Sequence, residues 1–211
     1  KTGTITGPDM KVEGFVKMDE SISDDVLETL VGDIVRYQSK DNSTMAALQE
    51  HFTKLSGREA TSVCGFSSKY KYSATCFVEG NFVIGAPEFV LRSDFARYED
   101  YISNISNKGY RVLAIAQTSE VPNGGRLEAP ARLLGLVFLD NPVRESAKET
   151  FEYFAANGVE IKVISGDNPE TVSHVAMEAG IIGGDHYVDA RDLTDEQSIY
   201  EAVERFTVFG R

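Results

Sequence analysis

The feature that most constrains this chain is a regular alternation beginning at residue 133. Residues 133–139 form an apolar run, and 144–157 have helical spacing closed by Gly158. Residues 159–164 are apolar again, and 170–179 form a second helical stretch, opened by Pro169 and stopped by Gly180. Strand, helix, strand, helix at this spacing predicts right-handed crossovers and a doubly wound parallel sheet. The first half reads differently. Helices are expected over 24–38 with Ser23 as N-cap, over 43–55 with Gly57 ending it, and over 93–107 with Gly109 past its end. Residues 70–84 are rich in β-formers and carry Glu79-Gly80-Asn81 where a hairpin would turn, and 111–117 read as a buried strand. The stretch 119–131, with Pro122, Gly124, Gly125 and Pro130, marks a boundary. A mixed α+β unit is therefore expected first and an α/β piece after it.

Bulk properties narrow the function. The net charge is -12, with Lys and Arg spread along the chain and no basic stripe interleaved with aromatics, so nucleic acid is not an expected partner. An anion such as ATP would have to be held by a few placed cations and backbone amides against an unfavourable overall field. No run reaches the roughly 18 apolar residues a membrane span needs, and the start has no signal-peptide pattern. The first residue is Lys1 and not Met, so the chain is expected to begin inside a longer protein. Cys64 and Cys76 form no CxxC and have no nearby His pair, which reads as two reduced thiols.

In the second half, Asp140 and Asp167 fall at the carboxyl ends of successive expected strands, the edge where open parallel sheets bind ligands. Beside Ser165 and Gly166 they suggest a phosphate and Mg²⁺ site: hard oxygen ligands, a hydroxyl, and a glycine that admits close backbone approach. An Asp after a strand is equally a common helix N-cap, and Asp167 stands just before the helix opened by Pro169.

A third element joins these. Lys1 to Thr6 reads K-T-G-T-I-T, which resembles the run after the nucleophilic Asp in P-type (E1-E2) cation-transporting ATPases. L-D-N-P-V-R (139–144) resembles that family's Asp-Pro-Pro-Arg element, and V-I-S-G-D-N (163–168) its Thr-Gly-Asp element, with Ser165 in the Thr place. The residues between the first two match in length the nucleotide-binding domain inserted there in the family. Within them, F-S-S-K-Y-K-Y-S (66–73) resembles the segment that stacks a Phe on adenine and lines the pocket with a Lys. G-A-P-E (85–88) resembles the Lys-Gly-Ala-Pro-Glu turn, and G-Y-R-V-L-A-I-A (109–116) places Arg111 where the family uses an Arg near the phosphates. V-F-G-R at the end places Arg211 at a phosphate-contacting position.

The resemblance implies three segments. Residues 1–8 would be the first strand of the phosphorylation domain, 9–131 the nucleotide-binding domain (an antiparallel sheet flanked by helices), and 132–211 part of the phosphorylation domain. The last would be doubly wound, parallel-sheeted and haloacid-dehalogenase-like. It implies ATP and Mg²⁺ as cofactors. Phe66, Ser68, Lys71, Gly85, Arg111 and Met45 would form the nucleotide site. Thr2, Gly3, Asp140, Arg144, Ser165, Gly166, Asp167 and Arg211 would form the phosphate site and hinge, with Thr2 in an incomplete Mg²⁺ site. The intact protein would couple ATP hydrolysis, through an aspartyl-phosphate, to cation transport. Its partners would be the transported cation, held by absent membrane helices, and the remaining phosphorylation, actuator and transmembrane domains. The chain would then be a cytoplasmic domain of an integral plasma-membrane protein.

The sequence also departs from the family. The nucleophilic Asp would stand immediately before Lys1, and the segment with the catalytic Lys would follow Arg211, so the chain alone is expected to be inactive. Ile84 occupies the place of the turn's Lys, and Met45 the place of a Glu that serves the adenine pocket, which implies weak, modestly selective binding. No His-Pro pair occurs, which points away from the heavy-metal pumps; calcium is the expected ion. Two other readings stand beside this one. One is a haloacid-dehalogenase-type phosphohydrolase with a large substrate cap, which would lack the 66–73 and 85–88 motifs. The other is a domain that binds a protein regulator instead of nucleotide.

Overall fold

The computed structural model describes residues 4–210. Its described residues fall into two compact units. The larger holds Met10–Ser103 and Arg111–Asp140, and the smaller holds the residues up to Asp9, then Asn104–Tyr110, and those from Asn141 onward.

In chain order the larger unit contains β1 (Lys11–Lys17), α1 (Asp24–Val35), α2 (Ser43–His51), β2 (Ser62–Ser67), β3 (Tyr72–Phe77), β4 (Gly80–Gly85), the short α3 (Pro87–Leu91), the start of α4 (Glu99–Ser106), β5 (Arg111–Thr118) and β6 (Arg132–Asp140). Its strands make one six-stranded sheet in the order β1-β6-β5-β4-β3-β2, antiparallel at every pairing. Residues of β1 and of β3 to β6 face α1 and α2. Phe82 and Ile84 of β4 join Ile115, Val137 and Leu139 under Leu27, Leu30, Ile34 and Leu48 of the helices, with Phe52 just past α2 beside them. Ser23 caps α1 by accepting from the Val26 N–H at 3.3 Å, and Asn42 caps α2 by accepting from Met45 at 2.9 Å. One polar tie crosses this core. Gln38 Nε2 donates to the Ala74 carbonyl (2.8 Å) and Thr75 Oγ1 (3.0 Å), and the Thr75 hydroxyl donates to the Ile34 carbonyl (2.9 Å).

Several expectations need correction. The helix expected over 43–55 stops at His51, because Phe52 turns inward to pack its ring 5.6 Å from that of Phe15. The residues after it run as a strap under α1. Gly32 leaves room for the Lys54 carbonyl, which would stand 2.1 Å from a Cβ there, and the Asp33 carboxylate accepts from Ser56 N–H (3.0 Å) and Ser56 Oγ (2.6 Å). The helix expected over 93–107 is a 3₁₀ segment, Arg92–Arg97, followed by α4. The run 133–139, read as the first parallel strand, is an interior antiparallel strand of the large sheet between β1 and β5. Both faces of that strand are covered, so it has the continuous apolar signature of a parallel strand. The units divide after Asp140 and not at 131/132, and the Pro/Gly-rich stretch 119–131 is a loop of the larger unit. That loop is held by Tyr72, whose hydroxyl donates to Gly125 O at 2.7 Å, and by Arg92 Nη1, which donates to the Leu127 and Glu128 carbonyls.

The smaller unit contains α5 (Ala147–Ala156), β7 (Val163–Ser165), α6 (Pro169–Glu178), β8 (Tyr187–Asp189), α7 (Glu196–Arg205) and β9 (Val208–Gly210). Its strands form a three-stranded sheet in the order β7-β9-β8, and both pairings are parallel; of the strands expected to be parallel only the one over 159–164 contributes to it. Ile5, Val163, Val172, Val175, Ala176, Ile181 and Val208 make its core. The strand expected over 159–164 is shorter and ends one residue later, and the helix expected from 144 begins at Ala147. Among the described residues no helix is long and apolar enough to cross a membrane.

Candidate functional site: a hairpin, a turn and a sheet edge

β2 lies at the edge of the large sheet, and the chain returns from it to β3 through 68–71. The Ser67 carbonyl accepts from Lys71 N–H at 2.7 Å, and Ser67 Oγ accepts from Tyr70 N–H at 3.3 Å, which closes the loop. Closure sets Lys71 at φ 54°, in the left-handed region. Its carbonyl then accepts from Ala86 N–H at 2.9 Å, in the turn that opens α3. Gly85 pairs with Tyr72, and a Cβ on Gly85 would stand 2.4 Å from the Lys71 carbonyl oxygen. The structure thus brings Lys71 and Gly85, distant in sequence, into contact. Phe66 is on β2 with 54% of its surface exposed, whereas Tyr72 in the same hairpin is 1% exposed. Ser68, Lys69 and Lys71 are all exposed, and Lys69 Nζ stands 5.2 Å from the centre of the Tyr70 ring.

Arg111 opens β5. Its Nη1 donates to Thr44 Oγ1 at 3.1 Å and lies 3.5 Å from the sulfur of Met10, to which Thr44 Oγ1 also donates at 3.1 Å. Met45, expected as a wall of the nucleotide pocket, is 5% exposed and belongs to the core under α1. Its side chain points inward because it continues the apolar face of α2 with Leu48. The residue α2 presents beside Arg111 is Thr44. Ile84, in the place of a pocket cation, is likewise buried in that core. A separate open cleft of about 340 Å³ lies between α1 and the end of α2, lined by Gly32, Val35, Arg36, Gln49, Phe52, Thr53 and Leu55; it includes none of the expected site residues.

In the smaller unit the carboxyl ends of the three parallel strands carry Ser165, Gly210 and Asp189. Ser165 Oγ accepts from Asp167 N–H at 3.2 Å, and a Cβ on Gly166 would meet nothing within 4 Å, so this turn is open to an approaching group. Asn168 caps α6, accepting from Glu170 N–H at 2.9 Å, so the N-cap role that Asp167 could have filled belongs to Asn168. Asp189 holds Arg191 through Nε (3.0 Å) and Nη2 (2.7 Å). Asp140, expected on the same sheet edge as Asp167, instead ends β6 opposite Lys11 in the large antiparallel sheet. The chain passes before and after the larger unit are stitched together within the smaller one. Asn141 Nδ2 donates to the carbonyls of Gly7 (2.9 Å) and Asp9 (2.7 Å), and Thr6 Oγ1 donates to Asn141 Oδ1. Arg144 donates from its backbone to Ile5 O (3.0 Å) and from Nε to Thr6 O (3.3 Å). Thr2, Gly3 and Arg211 lie outside the described residues.

Among the described residues no group of three or more His, Cys, Asp or Glu is placed to hold a metal ion. Ser165 and Asp167 supply fewer oxygen ligands than the octahedral shell Mg²⁺ demands, so these residues do not by themselves make a Mg²⁺ site.

No family model matches the chain. Curated relatives match it from end to end. A probable cation-transporting ATPase, exp7, of Streptococcus pneumoniae is 32% identical over 214 residues, covering 100% of this chain and 27% of its own length. The calcium-transporting ATPase CtpE of Mycolicibacterium smegmatis is 35% identical over 216 residues, covering 100% of this chain and 26% of its own. The chain belongs to the P-type cation-transporting ATPases. It spans about a quarter of the length of these relatives. Among solved structures, a zinc-transporting PIB-type ATPase in its E2.Pi state matches with a TM-score of 0.55 at 18% identity, covering 86% of this chain and 27% of that one. At that identity the likeness speaks to the fold alone: a mixed α/β P-type ATPase segment with an antiparallel sheet flanked by helices.

Against the P-type ATPase reading, sequence reasoning missed Thr44 and Met10 beside Arg111, Asn141 between the chain passes, and Asp189 and Gly210 at the sheet edge. The sequence did carry a signal for Thr44. Asn42 as N-cap and Met45 and Leu48 on the apolar face leave the exposed side of the first turn to its neighbour.

Proposed function

We propose that the larger unit is the nucleotide-binding domain of an ATP-driven cation pump and that the smaller unit is part of its haloacid-dehalogenase-like phosphorylation domain. The observation that carries this is the hairpin: an exposed Phe66 on its edge strand and an exposed Lys71 in its loop, whose backbone is held against the Gly85 turn. In this reading the adenine stacks on Phe66. Lys71 and Ser68 face the nucleotide from the loop, and Arg111, steadied by Thr44, supplies a second cation in a molecule whose net charge is -12. ATP arrives with its Mg²⁺. Within the smaller unit, Ser165, Gly166 and Asp167 offer a phosphoryl group a turn at the carboxyl edge of the parallel sheet, where the open Gly166 turn admits an oxygen-rich group. Asn141 and Arg144 tie the two chain passes together within the smaller unit. The burial of Ile84 and Met45 leaves fewer polar contacts for the base and keeps affinity weak. The chain binds nucleotide. The intact pump, anchored in the plasma membrane, carries a divalent cation; the calcium-transporting relatives favour Ca²⁺.

The test is an amide-NMR titration of the chain with ATP, with and without Mg²⁺. Shifts are expected at Phe66, Lys71, Gly85 and Arg111. Because stacking on an aromatic contributes roughly 1–3 kcal/mol, Phe66→Ala should weaken binding about five- to a hundred-fold with little loss of stability, the ring being mostly exposed. No shifts at millimolar ATP would sink the proposal.

A further inference from the structure

The large sheet has two outermost strands, and they are defended differently. β1 carries Lys11, Glu13 and Lys17, charges of the kind that keep an edge from pairing with another chain. β2, S-V-C-G-F-S, carries neither a charge nor a proline. Its one defence is the register shift against β3 between Cys64 and Ser67, which leaves residues 62–64 in regular register. Among the described residues, no backbone hydrogen bond runs from residues 62–64 to anything but β3. The side chains of Val63 and Phe66 stand 45% and 54% exposed. An unpaired, uncharged edge with apolar side chains is a template for a further strand.

The charges at the two ends of β2 select that strand. At its start stand two exposed carboxylates, Glu59 and, in the turn between β3 and β4, Glu79. The cation among them, Arg58, is already held, with Nε 3.9 Å from Glu79 and Nη1 3.8 Å from the buried Asp33. At its end stand Lys69 and Lys71, both exposed. An antiparallel second copy lays the acidic end of one β2 against the basic end of the other, and does so twice. A parallel copy would set like charges together. We propose that β2 is a self-docking edge, through which two copies of this chain pair antiparallel about a twofold axis near residues 62–64. The two large sheets then run on as one, and Val63 gains a cross-strand neighbour from the other copy. An uncharged peptide would find the same backbone groups but neither charge match.

The test is sedimentation equilibrium of the 211-residue chain, which should show monomer and dimer in exchange. Glu59→Lys and Lys69→Glu should each weaken the dimer about tenfold, the scale of an exposed ion pair met twice and reversed. Mixing the two variants should restore association, because each supplies the charge that the other has lost. Val63→Lys should abolish the dimer, whereas Val203→Lys, at an equally exposed valine of the smaller unit, should leave it intact. A wild-type chain that is monomeric at about 1 mM would overturn the proposal. So would a dimer indifferent to both charge reversals or to Val63→Lys, or a mixture of the two charge variants that associates no better than either alone.

Discussion

At the scale of single residues, the two thiols show how burial alone sets chemistry. Burial pushes both Cys64 and Cys76 above the ordinary thiol value, and Cys76, on an interior strand, is 3% exposed. Its folded pKa is raised, so the fold favours the neutral form. The stabilisation that depends on this form is complete below the unfolded thiol value and is lost as pH climbs past about 9 and through the folded value. Urea midpoints measured between pH 8 and pH 10.5 should therefore fall more steeply for wild type than for Cys76→Ala, which cannot titrate there. Parallel slopes would show that the thiol does not ionise with unfolding. Phe66 is the opposite case, a ring left open on an edge strand beside a Tyr72 that is fully enclosed.

At the scale of elements, the strap after α2 is the clearest tertiary device. Contacts to α1 and the turn after it hold the strap, among them the Gly32 cradle, the wholly buried Asp33 carboxylate on Ser56 and Arg58, the Tyr37 hydroxyl on Arg58 O, and Lys54 between Asp25 and Glu28. Alanine at 32 would gain helix propensity of about 1 kcal/mol, but its Cβ would drive into a backbone carbonyl. Overpacking of that kind costs roughly 1–3 kcal/mol, so Gly32→Ala should destabilise on balance and free the strap. Urea unfolding with hydrogen exchange at Ser56 would check it, and an unchanged midpoint with full protection would refute it.

The same elements show what a sequence can disclose. Ser23 before the periodic run 26–35 and Pro169 at the start of α6 carry local signals, and both helices start where those residues place them. β1 carries none: a register shift next to Gly14 breaks its alternation, so K-V-E-G-F-V-K has no period of two to read. β8 and β9 are three residues long, too short for any period. β6 was legible as a strand but not as a member of a particular sheet, because an apolar run names no partner. The candidate site divides in the same way. Phe66, Lys71 and Gly85 stand out as a motif, whereas the Thr44–Arg111 pair joins residues brought together only by the sheet.

At the scale of the whole molecule, each unit has its own hydrophobic core, one under α1 and α2 and one around α6. Calorimetry of the chain should resolve two transitions. ATP at a hundred times its dissociation constant should raise the one belonging to the larger unit by about 2.7 kcal/mol of stability and leave the other in place. A ligand shift confined to the smaller unit's transition would contradict the assignment of the nucleotide site. Within the larger unit, Lys11 pairs with Asp140, so its first and last strands lie side by side. Its two ends therefore emerge about 5 Å apart. A module whose entrance and exit share a doorway can be transplanted into a host loop with almost no disturbance to the host. By the same geometry it can be joined end to end by a short linker and reopened at a different turn, which makes this sheet a natural scaffold for circular permutation.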